Sequence, residues 1–255
     1  MKKSKLARLI AAICCFAMLL TACSSNQTSA ESGGDGSTTA DSEKKVLTYA
    51  IGAETTDLST LYMNNSLYCT SKLVYENLVD FDNGEIVPGL AESWEYNDDQ
   101  TELTFHLRQG VTFHNGEPFN AEAVKTNLEH KQSNPSFYSL KGITDIQEIE
   151  VVDEYTITLH YDHPFYAYLQ DFCWPDVCTM ISPKQITQGD FQTVNGYAGT
   201  GPYIYDEYVA GQYTTFVRNE NYWGEAPAIQ KITVKVIPDN QTRIMALENE
   251  EIDLI

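Results

Sequence analysis

The sequence predicts a mixed α/β domain that begins near Val46, and three segments of the chain carry this prediction. Apolar and polar residues alternate over residues 101–107 and again over residues 155–161, a period typical of half-buried strands. After Asn120, apolar side chains recur at helical spacing over residues 121–128. Asn120 is itself a good N-cap, so we expect a helix to begin directly after it.

The first 22 residues are predicted to be a signal peptide. Four basic residues precede an apolar run over residues 9–20, and twelve residues are too few to span a bilayer comfortably. The segment LTAC, which ends at Cys23, resembles a bacterial lipobox, so cleavage before Cys23 would leave it as the lipidated N-terminus. An uncleaved anchor or an ordinary secretory signal is the alternative.

Residues 23–45 are predicted to be this lipidated cysteine followed by a disordered tether. Ser, Thr, Gly and acidic residues fill the segment, and it has no large apolar side chain to bury. As a flexible coil it would reach roughly 25 Å. We therefore expect a globular body, residues 46–255, held near a membrane surface by its lipid anchor.

The charge of the predicted mature part restricts its partners. Removal of residues 1–22 leaves 12 Lys and Arg against 36 Asp and Glu, a net charge of −24. Such acidity argues against nucleic acid and anionic lipid surfaces as partners. Cys69, Cys173 and Cys178 are an odd set that forms no disulfide framework; pairing of the last two in an extracellular setting stays open.

Within the body, local patterns predict the elements in order. Residues 46–51 read as the first strand and residues 71–79 as a short helix. Residues 110–119 read as a strand that enters an Asn-Gly turn. At residues 199–202 two glycines allow positive φ, so GTGP is predicted to be a turn. Strands over 203–205 and 212–218 should pair around Gly211, and the turn after them is expected to bury Tyr222 and Trp223.

Four segments of this body resemble the solute-binding proteins of ABC importers for peptides and nickel, known as solute-binding family 5. The first is the stretch at residues 199–227, which contains GTGPY and NENYWGEAP. The others are VPGLAESWEYNDDQTELTFHLRQG at 87–110, GVTFHNGEPFNAEAV at 110–124 and KITVKVIPDNQTRIMALENEEIDLI at 231–255. One residue departs from the pattern, because family members usually have glycine at the position of Glu250.

The resemblance implies a two-lobed periplasmic-binding-protein-like α/β fold of the class II type with an extra subdomain. Such a protein closes on its ligand by hinge motion, docks on a membrane permease, and delivers the ligand for uptake driven by an ATPase subunit. Residues 46–255 would supply the first lobe and the part near the hinge. Because the chain stops inside the apolar run at residues 252–255, we expect it to be an N-terminal fragment.

The resemblance also implies ligand contacts. Family members place cleft-facing side chains at the positions of Tyr68, Tyr138 and Trp174. The segment RNENYWGEAPAIQKITVKVIP is similar to nickel-type members, which carry nickel as a chelate and have arginines where residues 173–179 hold none. Asp176 in this loop is either a partner for a ligand's ammonium group or a solvated acid. Peptide and nickel chelate both stay open as ligands.

Two other classes of protein compete with this interpretation: an extracellular metal-dependent hydrolase and a ligand-sensing lipoprotein. His114 with Glu117, or His160 and His163 with the two cysteines, fit no familiar zinc spacing. The sequence has no P-loop, no Gly-x-Ser-x-Gly elbow and no HExxH. We therefore predict no catalytic residues, no protein-built metal site and no cofactor.

Overall fold

The computed structural model describes residues 45–54, 70–134, 139–174, 178–188 and 197–255, and these form a mixed α/β body. Its strands are β1 (Val46–Ile51), β2 (Val79–Asp82), β3 (Glu85–Pro88), β4 (Ala91–Tyr96), β5 (Glu102–Leu107), β6 (Ile146–Asp153), β7 (Thr156–Tyr161), β8 (Tyr203–Val209), β9 (Tyr213–Arg218) and β10 (Lys231–Val236). Its helices are α1 (Ser71–Val74), α2 (Ala121–Ser133), α3 (Lys141–Thr144), α4 (Tyr168–Asp171), α5 (Pro183–Gln188) and α6 (Asn240–Glu248).

One antiparallel sheet has the strand order β4-β5-β7-β6. The alternation predicted for residues 101–107 is confirmed, because Leu103, Phe105 and Leu107 of β5 are all buried. They belong to the largest of three core clusters formed by the described residues, together with apolar residues of α2. The predicted cap of α2 is also confirmed: the Asn120 side chain accepts a hydrogen bond from the Ala123 N–H over 3.0 Å.

A second four-stranded sheet has the order β1-β10-β9-β8 and contributes to the second core cluster. The predicted first strand is confirmed as β1, which runs parallel to β10. The predicted pairing around Gly211 is confirmed as well, with β8 extending to Val209. On the other side of β1, Leu254 forms a parallel bridge with Tyr49, so the sheet continues into the last residues.

The prediction of a helix over residues 71–79 is wrong for most of that range. Helix α1 ends at Val74, and the next residue, Tyr75, has extended backbone angles (φ −118, ψ 149). The chain then pairs with another segment, since Asn77 bridges Thr179 and the Met180 N–H donates to the Glu76 carbonyl over 2.8 Å. Tertiary pairing of the backbone has overridden the local apolar spacing.

The two turns built on glycine differ in their physical cause. At Asn115-Gly116 the predicted turn is confirmed, with Gly116 at φ +83, although the flanking strand is reduced to one bridge between Thr112 and Pro118. At residues 199–202 the predicted reason is wrong, because neither glycine has positive φ. A Cβ on Gly199 would lie 2.0 Å from the Val74 carbonyl oxygen, so close backbone approach requires glycine there.

No helix in the described ranges is long and apolar enough to cross a membrane.

Candidate functional site: the Glu76 crossing and the Trp174 loop

Trp174 is the predicted ligand-contacting residue that lies within the described part of the chain, and it is exposed to solvent. It follows α4, and its side chain keeps 54% of its accessible area. The Cys178 N–H donates to the Trp174 carbonyl over 3.2 Å, so these two residues lie next to each other. The described residues Cys173, Trp174 and Cys178 are together called the Trp174 loop below. It presents an aromatic surface to solvent and carries no arginine.

The other predicted site residues lie outside the described residues. These are Cys23, Tyr68, Tyr138 and Asp176.

Both cysteines of the Trp174 loop are free and buried. The Cys178 thiol donates to the Asp171 carbonyl over 2.9 Å, and the Cys173 thiol faces the Leu169 carbonyl at 3.8 Å. Burial raises the pKa of Cys173 to about 11 and that of Cys178 to about 12. The thiols are therefore protonated and serve as packing groups at the base of the loop.

Glu76 lies beside this loop and was not singled out by the sequence. Three side chains donate hydrogen bonds to its carboxylate: Thr200 Oγ1 to Oε2 over 2.7 Å, Tyr222 OH to Oε1 over 2.7 Å and Trp223 Nε1 to Oε2 over 2.8 Å. The GTGPY and NYW segments thus converge on one acid. We call Glu76 with these three donors the Glu76 crossing.

The surroundings of Glu76 make its charge costly. Burial raises its pKa, and the negative charge of Asp80 adds to that effect, while the bonds from Trp223, Tyr222 and Thr200 act in the opposite direction. The Asp80 carboxylate is itself paired with Lys72 Nζ at 2.6 Å. The three donors reduce the cost of ionising the acid in this position, because hydrogen bonds to a carboxylate favour its charged form.

The aromatic pair at residues 222–223 is half-buried, which is less than the sequence predicted. The exposed side of the Trp223 ring is covered by the Arg108 guanidinium, 4.3 Å from the ring centre. Arg108 is fixed in turn by hydrogen bonds from Nε and Nη2 to the Gly89 carbonyl, both 3.3 Å. The pair therefore donates hydrogen bonds to Glu76 through the Tyr222 hydroxyl and the Trp223 N–H, and the Trp223 ring makes a cation–π contact with Arg108.

The histidines considered as metal ligands have other partners. His114 Nε2 contacts the Gly201 carbonyl at 2.9 Å, and burial lowers its pKa to about 4. Glu117, near it in sequence, instead accepts from Asn115 Nδ2 over 2.9 Å and from the Lys184 N–H over 3.2 Å. Among the residues that the structure describes, no group of three or more His, Cys, Asp or Glu side chains is placed to hold a metal ion.

Comparison with known proteins decides the family. The model of the bacterial extracellular solute-binding proteins, family 5 Middle, matches residues 85–255. The chain belongs to solute-binding family 5. Members of this family are ligand carriers, and the predicted periplasmic-binding-protein-like α/β fold is confirmed by solved structures of its members.

Curated family 5 relatives bind different ligands. The chain is 41% identical over 203 residues to the nickel-binding periplasmic protein of Escherichia coli K12, covering 76% of this chain and 38% of that protein. It is 35% identical over 212 residues to the glutathione-binding protein GsiB of Pectobacterium atrosepticum, covering 79% and 40%. The chain thus spans about two fifths of the length of these relatives.

Solved structures similar to this chain contain an iron chelate in one case and a peptide in another. NikA of Brucella suis, in complex with Fe(III)-EDTA, is 36% identical and superposes with a TM-score of 0.74 over 81% of this chain and 42% of its own. DppA of Helicobacter pylori, in complex with the peptide STSA, is 27% identical with a TM-score of 0.70 over 82% of this chain and 46% of its own.

Proposed function

We propose that this chain is part of an extracytoplasmic solute-binding lipoprotein of an ABC importer, which captures a small peptide or a nickel chelate and delivers it to a membrane permease. The observation that carries the proposal is the family 5 match over residues 85–255. Ligand capture would occur by closure of two lobes, with the ATPase subunits of the importer driving uptake.

The ligand would be chosen in part at the Trp174 loop. An exposed tryptophan offers a flat apolar face for a peptide side chain or for the organic part of a chelate. The loop has no arginine to bind ligand carboxylates bidentately, and Asp176 would favour an ammonium group. We propose Tyr68 and Tyr138 as further cleft residues. This charge pattern favours a ligand with a positive group over a strongly anionic chelate.

The N-terminal part would attach the protein to the cell membrane. We propose that residues 1–22 are removed, that Cys23 is lipidated, and that residues 23–45 form the tether to the domain at 46–255. Lipidation is tested by labelling cells with a clickable fatty acid. Cys23→Ser should lose the label and be released from the membrane fraction, and label retained by Cys23→Ser would contradict this assignment.

The ligand is tested by titration calorimetry of the protein in its natural full length. Free nickel, nickel–histidine and a panel of dipeptides are titrated separately, and a ligand should also raise the melting temperature in a saturable way. We expect the 255-residue chain alone to bind more weakly, because it spans about two fifths of its relatives.

A matched pair of variants places the ligand at the Trp174 loop. Trp174→Ala should weaken binding about ten-fold, whereas Tyr166→Ala, which removes an aromatic side chain that is 88% exposed, should leave binding unchanged. No heat with any ligand would overturn the proposed function. Peptide hydrolysis that is lost in the presence of a chelator would favour a hydrolase instead. Binding in a genome without a neighbouring permease would favour the sensing lipoprotein.

A further inference from the structure

We propose that Glu76 is a positioning residue for ligand binding, which fixes the Trp174 loop through its own main chain without touching the ligand. The proposal rests on the proposed function, in which Trp174 contacts the ligand. It names a role for the acid at which the GTGPY and NYW segments meet.

The first step is that the Glu76 side chain is held from two distant parts of the sequence. Thr200 lies 124 residues away along the chain, and Tyr222 and Trp223 lie 146 and 147 residues away. Two donors share Oε2 and one binds Oε1, so the carboxylate is fixed in rotation as well as in position. Removing the acceptor would leave three donors partly or wholly buried without this partner.

The second step is that the main chain at Glu76 holds the end of the Trp174 loop. The Glu76 carbonyl accepts from the Met180 N–H over 2.8 Å, and the next residue, Asn77, forms an antiparallel bridge with Thr179. The Asn77 carbonyl is used on its other side by the Leu90 N–H at 2.9 Å. Residues 76–77 are thus the inner partner of the segment that leaves the loop.

The third step runs from this segment to Trp174. Thr179 is fully buried and follows Cys178, whose N–H reaches back to the Trp174 carbonyl over 3.2 Å. Two backbone hydrogen bonds, Met180 to Glu76 and Cys178 to Trp174, therefore separate the carboxylate from the exposed ring. We therefore expect a displacement of residue 76 to move the Trp174 ring through these two hydrogen bonds.

The backbone just before Glu76, at residues 73–74, is packed too closely against residues 199–201 to shift when a contact of Glu76 is lost. The Gly201 N–H donates to the Val74 carbonyl over 2.9 Å, and Cβ atoms at Gly199 and Gly201 would lie 2.0 and 2.7 Å from backbone oxygens of residues 73–74. With the backbone packed this closely, a lost contact at Glu76 is passed on to its partners.

The test follows the Trp174 ring directly, by ¹⁹F NMR of the full-length protein labelled with 5-fluorotryptophan, with the resonance assigned by Trp174→Phe. Glu76→Leu should shift the Trp174 resonance and weaken binding of the ligand found by calorimetry about ten-fold, the lower end of what loss of a supporting residue costs a binding site. Glu76→Gln should keep both the Trp174 resonance and the affinity of the wild type. The Gln carbonyl can accept from Trp223 and Thr200, and its amide can donate to the Tyr222 hydroxyl oxygen.

A control variant separates positioning from stability. Val234→Ala in β10, where the side chain is 2% exposed, should lower the melting temperature yet leave the Trp174 resonance and the affinity unchanged. If Glu76→Leu does not fold, Thr200→Val and Tyr222→Phe each remove one donor and should shift the resonance less.

An unmoved Trp174 resonance in folded Glu76→Leu would overturn the positioning role, whatever the affinity of that variant. If Glu76→Leu does not fold, unmoved resonances in both Thr200→Val and Tyr222→Phe would overturn it. A Trp174 resonance that moves while the wild-type protein binds no ligand would instead overturn the proposed function.

Discussion

The Glu76 crossing and the outer face of the sheet β4-β5-β7-β6 both bring acids together with donors, yet they differ in burial. On the outer face, His160 lies between two glutamates, with Nε2 3.0 Å from Glu150 and Nδ1 3.5 Å from Glu102. The Glu150 and Glu102 side chains keep 53% and 45% of their accessible area. Glu76 is only partly exposed, its pKa is raised by burial, and it meets neutral donors that arrive from distant segments.

The difference teaches that the number of polar contacts does not measure their contribution. An exposed pair exchanges protein contacts for water at little cost, so its net effect is small. At a partly buried acid such as Glu76, water replaces a lost donor less readily, so each of its contacts contributes more. Substitutions in the two regions should therefore differ in size, and the following experiments put this to the test.

The largest effect is expected at Gly199. Gly199→Ala places a Cβ 2.0 Å from the Val74 carbonyl oxygen, so the crossing must move apart at a cost of about 3 kcal/mol. Urea unfolding measures this cost. Gly211→Ala is the control. A Cβ at Gly211 would meet open space, so the strain comes from its φ of +69 alone, and the substitution should cost about 1 kcal/mol. Equal costs would show that the crossing is not closely packed.

A smaller loss is expected when one donor to Glu76 is removed. Trp223→Phe keeps a ring for Arg108 to cover but takes away the indole N–H, at a cost of about 2 kcal/mol in unfolding free energy. Tyr203→Phe, which removes a bond of 3.0 Å to the Ile229 carbonyl, serves as the control with a cost of about 1 kcal/mol. A loss for Trp223→Phe below that of the control would mean that water replaces the donor.

The pH dependence of stability should have opposite signs at Glu76 and Glu117. Because burial raises the Glu76 pKa above its usual value of 4.5, its contribution is present below pH 4.5 and is lost as the pH rises through the raised pKa. Burial also acts to raise the Glu117 pKa, but bonds from Ser182, Asn115 and the Lys184 N–H more than offset it, so the pKa is lowered. Its contribution is lost as the pH falls.

The measurement is the unfolding free energy of each Gln variant against the wild type from pH 3 to 7. The unfolding free energy of Glu76→Gln should increase relative to the wild type as the pH rises. That of Glu117→Gln should increase relative to the wild type as the pH falls. Parallel curves would contradict the assigned directions.

A gain in stability is expected when Glu250, an exposed residue with a strained backbone conformation, is replaced by glycine. The end of α6 is a Schellman motif, in which the Glu250 N–H binds the Leu247 carbonyl at 3.1 Å and the Glu251 N–H binds the Ala246 carbonyl at 2.9 Å. Glu250 has φ +59, so Glu250→Gly should stabilise by about 0.7 kcal/mol. Glu248→Gly, inside the helix, should destabilise by a similar amount. A loss in both variants would refute the strain.

The smallest effect is expected on the outer face. A double-mutant cycle with His160→Gln and Glu150→Gln should give a coupling energy below about 0.5 kcal/mol, and added salt should reduce it. Glu102 is left in place in all four proteins. A coupling above 1.5 kcal/mol would break the comparison, because exposed contacts would then equal buried ones.

Much of the fold follows from local pattern. The inward residues of β5, the cap at Asn120 and the pairing of β8 with β9 were all predicted from spacing and turn residues, which act over a few positions. The family followed from ordered motifs and is confirmed. Of the predicted ligand contacts, Trp174 lies within the described residues and is exposed, and its role in binding stays a prediction.

Glu76 could not be found in this way. Apart from Asn77, its neighbours in VYENLV are apolar or aromatic, and the one local signal is a lone acid in a mainly apolar segment. Its donors are more than 120 residues away, and nothing in their own segments indicates a shared acceptor. The early end of α1 and the need for glycine at 199 also depend on contacts between residues far apart along the chain, so local patterns did not predict them.

By itself, then, the sequence determined several of the strands, the start of α2 and the membership of family 5, because periodicity, caps and turn residues work through contacts close along the chain. The tertiary structure alone decided which acid the signature segments surround, and that the glycines at 199 and 201 serve close approach and not positive φ. Those properties arise where distant backbones meet, and there burial and available space set the energy of each contact.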